Sequence, residues 1–146
     1  MRKFQFTLET LERAKEAERE QQEAELARMQ KALDTLLDQM ARLKAGLTDH
    51  QRELGRQMDR GLSGMKACVY DNYATYLRET MEQLNKRIAQ ATAERDAKRA
   101  ALLQTMRELQ ALNKLRARQY GKYLEELRRE EEKSIGDFVS YQVTSA

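Results

Sequence analysis

Apolar residues fall at Leu26, Met29, Leu33, Leu36, Met40, Leu43, Leu47 and Leu54, in steps that alternate between three and four. His50 takes the one slot in the series that is not aliphatic. A repeat of about 3.5 residues sustained over this length specifies a helix whose seam meets another helix along its run. Such a helix draws most of its stability from packing, so it does not stand alone. What the chain folds into therefore depends on what lies opposite the seam.

The rest of the sequence offers few ways to fold back. Its 146 residues include no proline and six glycines, 35% are charged, and mean hydropathy is -0.88. A globular core of this size needs many turns, and turn residues are nearly missing from two long stretches. Helix-forming composition with a helical repeat points to coiled coil, and apolar residues at 40% are too many and too regular for disorder. The fold class expected is all-α: a long antiparallel two-helix coiled-coil hairpin.

Met1 to Thr7 reads as an extended lead, with Thr7 as N-cap and Phe6 and Leu11 at the spacing of a hydrophobic staple. Arm one then runs to about residue 60. Its seam over 15–25 is carried by Ala14, Ala17 and Ala24 beside Gln21 and Gln22. Gly55, Gly61, Ser63 and Gly64 form the turn cluster, with Gly61 in the left-handed position that ends a helix and Ser63 as cap of the next. Arm two covers about 66–133. Its stripe runs through Val69, Tyr73, Tyr76, Leu77, Met81, Leu84, Ile88 and Ala91, is interrupted by Arg95 and Lys98, and resumes at Leu102, Met106, Leu109 and Leu112. Gly136 is expected to stop it, leaving 134–146 as a tail. The whole chain is read as one hairpin domain.

Two long helices joined by a short glycine-rich link pack most simply as a hairpin, with residue i facing roughly residue 125 − i. Leu47 then meets Leu77, Leu43 meets Met81, Met40 meets Leu84 and Leu36 meets Ile88. Charge supports the same pairing. Residues 9–25 are rich in glutamate, and the stretch they face carries Arg107, Lys114, Arg116 and Arg118. That arrangement disfavours a parallel homodimer. At 1.5 Å per residue the arms span roughly 80 and 100 Å, so the second overhangs. Leu127, Ile135, Phe138 and Tyr141 have no partner in the first arm, and an unpaired apolar extension suits docking to another protein or disorder when the chain is alone.

Chemistry-bearing patterns are missing. No phosphate loop, nucleophile triad or set of paired carboxylates stands out, so an enzyme is not expected. Cys68 and His50 do not make a metal site. A single cysteine fits a reducing compartment, and no apolar run approaches the ~18 residues of a membrane span. The expected location is the cytoplasm. His50 reads as a seam residue near the turn, where protonation would loosen the hairpin. A net charge of +3 is too small to argue for nucleic acid.

The opening Met1-Arg2-Lys3-Phe4-Gln5-Phe6-Thr7-Leu8-Glu9-Thr10-Leu11 resembles the start of the flagellar export protein FliJ family, with Glu12 standing where that pattern has a second apolar residue. Gly61-Leu62, then Tyr73-Ala74-Thr75-Tyr76-Leu77, also resemble the family, as do Asn113-Lys114-Leu115, Tyr120, Tyr123, Glu130-Glu131-Glu132 and Asp137-Phe138-Val139. The resemblance implies a component of the bacterial flagellar type III export apparatus, similar to the two-helix stalk of rotary ATPases. Its implied partners are the export ATPase hexamer, the membrane-embedded export gate and the export chaperones that escort substrates. It implies no cofactor, no nucleic acid, no membrane insertion, a monomer, and peripheral association with the cytoplasmic face of the inner membrane. Carried onto this chain, the gate contact lies on the exposed side of early arm two, around Tyr73, Tyr76, Leu77 and Thr80. Thr80 stands where the family often has an apolar residue. Seam packing is the competing reading of Tyr73, Tyr76 and Leu77. The end carrying both termini would enter the ATPase ring, with Phe4, Phe6 and the overhang with Phe138 as candidates.

Two other readings compete. Residues 86–122 are rich in bases, among them Arg95, Lys98 and Arg99, which suits a nucleic-acid-binding hairpin with salt-sensitive affinity. A solvated helix face explains the same stripe, and the acidic first arm lies beside it. The third reading is a structural coiled-coil oligomer, or the related stalk of an injectisome.

Overall fold

A computed structural model gives the fold and describes residues 2–145. Two helices, α1 (Glu9–Asp59, 51 residues) and α2 (Gly64–Ser145, 82 residues), pack antiparallel as an all-α hairpin, and no described residue lies in a strand. Both helices are free of proline, and Glu9 and Glu12 sit in the first turn of α1, where the helix dipole favours negative charge.

The reversal is short. Gly61 has φ +86° and donates its N–H to the Met58 carbonyl at 3.1 Å, the left-handed ending expected of it. Ser63 then caps α2: its Oγ accepts from the Lys66 N–H at 3.3 Å and its carbonyl from the Ala67 N–H at 3.0 Å. The N-terminus of α1 is closed differently from expectation. Thr7 is not its cap; the Thr7 hydroxyl is bonded to the Gln119 amide, and the Glu9 N–H turns back to the Phe6 carbonyl at 3.2 Å.

Packing divides the chain into two units. The turn unit is Gln22–Ala101; the terminal unit is Met1–Gln21 with Leu102–Ala146. In the turn unit the core is Leu33, Met40, Ala74, Leu77 and Leu84. Each buried leucine contributes roughly 1.5–3 kcal/mol. Register follows the expected pairing: Arg95 donates to Gln30 at 3.3 Å, and His50 meets Tyr70 and Tyr73. Arg95 and Lys98 do not interrupt the seam or line a solvated face. Both are half-buried seam residues, and Lys98 pairs with Glu25; their long aliphatic stems fill the position while the charged head finds a partner. Arg99 is exposed.

The terminal unit buries Phe6, Leu109 and Leu112, and with them Glu12 and Thr105. Thr105 takes the seam position expected of Met106, which is exposed, because the step back from Leu109 is four residues rather than three. On α1, Ala14 and Ala17 face solvent and Lys15 and Arg19 are half-buried; where the turn unit begins, Ala24 faces solvent and Gln22 and Glu25 are half-buried. The cross-helix charges run both ways. Arg116 donates to Glu12 at 3.0 Å in the expected sense, whereas Lys15 meets Glu108 at 2.6 Å in the opposite one.

Gly136 does not end α2, which continues to Ser145. One glycine costs a helix only about 1 kcal/mol relative to alanine, and no proline follows to enforce a stop. Leu127 is half-buried; every described residue from 128 onward is exposed, including Ile135, Phe138, Tyr141 and Val143.

Candidate functional site

In the turn unit an aromatic group forms around His50. Its Nε2–H donates to the Tyr70 carbonyl at 2.7 Å, a bond that fixes which nitrogen carries the proton. The ring stacks on Tyr70 at 5.1 Å and meets Tyr73 edge-on at 4.7 Å. This is the seam position expected of His50. Tyr73 in turn lies beside Tyr76, with ring centroids 6.4 Å apart. Tyr73 is 49% exposed and Tyr76 61% exposed, so both present ring surface to solvent. Helical spacing explains the split between neighbours. Ala74 and Leu77, three apart, point into the seam and are buried; Tyr73 and Tyr76 flank them on one side.

Leu77 is thus a core residue and not part of an exposed face. Thr80 is half-buried, and its hydroxyl donates to the Tyr76 carbonyl at 2.8 Å, which takes up its polar group within the helix. It also borders a shallow groove with Leu43 and Leu84, rimmed by Arg42 and Arg87. Met58, Met65 and Val69 extend the exposed apolar surface near the turn. Met58 and Met65 fall outside the seam repeat, so apolar periodicity does not mark them.

In the terminal unit the lead segment lies along α2. Phe4 packs edge-on to Tyr120 at 5.1 Å and tilted to Tyr123 at 5.6 Å. The Tyr123 hydroxyl donates to the Arg2 carbonyl at 2.6 Å. Phe6 is buried. Phe4 and Phe6 therefore hold the lead segment in place, while Phe138 is 61% exposed on the far part of α2. Among the described residues, no group of three or more histidine, cysteine or acidic side chains could hold a metal ion, and no helix is long and apolar enough to cross a membrane.

The family model described as "Flagellar FliJ protein" matches residues 4–146. The chain belongs to the FliJ family. No curated protein and no solved structure matches it. Membership makes the chain a component of the flagellar protein export apparatus. The family match runs through both tyrosine groups and the exposed end of α2.

Proposed function

We propose that this FliJ-family chain is the stalk-like coiled coil that links the export ATPase hexamer, the export gate and the chaperones that escort export substrates. The reading rests most on the exposed aromatic pair Tyr73 and Tyr76, on a helix whose neighbours in sequence are core. Aromatic rings held at a rigid helix surface suit a protein partner, since they give large contact area at little cost in rotamer entropy. Tyr73 and Tyr76 are the gate-contacting residues in this proposal. Leu77 and Thr80 act behind them, by fixing the helix that carries them. Phe138 and the exposed residues beside it meet the ATPase ring, and Phe4 and Phe6 set the lead segment against Tyr120 and Tyr123 at the same end.

The chain acts as a monomer in the cytoplasm, held at the cytoplasmic face of the inner membrane through the gate. Leu33 and Met40 of the stripe are buried within the hairpin and the rest of it is half-buried, which suits a monomer. The nucleic-acid reading loses support because Arg95, Lys98 and Arg116 are engaged across the seam.

A pull-down with the cognate export ATPase, followed by a hydrolysis assay, tests the proposal. The chain is expected to bind the ring and raise its turnover, and Phe138→Ala to reduce that stimulation. A Tyr73→Ala, Tyr76→Ala double variant is expected to keep ATPase binding and lose capture by the gate protein. Parent-like behaviour of both variants would sink these assignments.

A further inference from the structure

We propose that the α1 limb of the terminal unit, residues 9–21, is a releasable clasp: it opens from α2 while the leucine seam of the turn unit stays shut. The observation that carries this is Glu12. It occupies a seam position, and its side chain is only 7% exposed. Oε1 accepts from Arg116 Nη1 at 3.0 Å, but Oε2 is out of solvent with no hydrogen-bond partner. A buried carboxylate satisfied on one oxygen carries a desolvation cost that a single ion pair offsets only in part. An aliphatic side chain at the same position would hold the limb more tightly.

The flanking contacts add little. Lys15 and Glu108 meet at 2.6 Å with both side chains partly in solvent, and the Thr7–Gln119 pair is exposed. Exposed pairs of this kind contribute weakly. What holds the limb shut is the burial of Phe6, Leu109 and Leu112 together with the Phe4 ring contacts. The α1 side of the turn unit differs: Leu33 is 3% and Met40 5% exposed, whereas residues 9–21 bury no apolar side chain of their own. Local opening falls where apolar burial is thinnest. Release would uncover Leu109 and Leu112 on α2.

Hydrogen exchange on the full chain tests the clasp. Amides of residues 9–21 are expected to exchange at least about tenfold faster than those of residues 33–47. Glu12→Leu is expected to slow exchange in 9–21 about tenfold and to leave 33–47 unchanged. Glu16→Leu, at an exposed position of the same limb, is the control and should change neither. Equal protection of the two segments overturns the proposal, as does a Glu12→Leu effect spread over both or reproduced by Glu16→Leu. Distance measurement between labels at Arg13→Cys and Lys114→Cys, with Cys68→Ser, gives a second readout that needs no change at Glu12. A minor population at long distance supports the clasp, and a single short distance overturns it.

Discussion

The two units use one backbone plan and two kinds of seam. In the turn unit the fully buried seam positions hold leucine, methionine and alanine, and the polar pairs Gln30–Arg95 and Glu25–Lys98 are only half-buried. In the terminal unit, seam positions hold Glu12 and Thr105 beside Leu109 and Leu112. Helices pair in both, so an apolar stripe is sufficient for pairing but not necessary at every turn. A charged side chain holds a seam position when its stem packs and its head finds a partner. The difference lies in what pairing is worth. Leucine burial stabilises by amounts that sum, while a buried ion pair fixes geometry at little net gain.

Substitutions sharpen that contrast. The largest effect is expected from Leu33→Ala, which opens a cavity in the turn unit and should destabilise by about 2–5 kcal/mol in urea unfolding. An equal loss on truncating Glu12 or Thr105 to alanine would break the contrast. Arg116→Ala removes the partner of Glu12. Arg116 is about half exposed, so part of its loss is recovered by solvation of the space it leaves, and about 1–3 kcal/mol is expected, read as faster exchange in 9–21. Gly61→Ala forces a side chain into the left-handed region and should cost about 1 kcal/mol in thermal unfolding.

A smaller effect comes from pH. The Lys15 ammonium and the Gln104 amide, both bonded to Glu108, hold its carboxyl below the usual carboxylate range. Glu108 and Glu18 hold the Lys15 ammonium above its usual range. A depressed acid contributes stability above its unfolded pKa and loses it as pH falls through the folded value. A raised base contributes below its unfolded pKa and loses it as pH rises through the folded value. Lys15→Met should therefore flatten the pH profile of terminal-unit protection at both its acid and its alkaline edges. Smallest of all, Ile135→Ser on the uncovered part of α2 should leave the unfolding midpoint within about 0.5 kcal/mol of the parent.

The leucine seam, the turn at Gly61, the Ser63 cap and the register were legible because each has a local signal: a 3.5-residue period, a glycine cluster, a hydroxyl before a helix. The polar seam was not. A search for apolar periodicity passes over Lys15, Arg19 and Lys98, although their stems do the packing, and it prefers Met106 to Thr105. Gly136 misled for a related reason, since a glycine weakens a helix without breaking it. For the candidate surface, the sequence places Tyr73, Tyr76, Leu77 and Thr80 on one stretch of helix. It did not separate the exposed tyrosines from buried Leu77, because all of them fit a helical stripe of generous width. Phe4 and Phe6 read as contact residues, yet their rings are engaged within the terminal unit.

The tight reversal at Gly61 has a bearing on how the chain assembles. His50 and Tyr70 are separated by 20 residues, Gln30 and Arg95 by 65, and Thr7 and Gln119 by 112. Loop closure becomes costlier with separation, but each pair that forms shortens the loop left for the next. Folding can thus zip outward from the bend one rung at a time, and the rungs fastened last are those nearest Phe4.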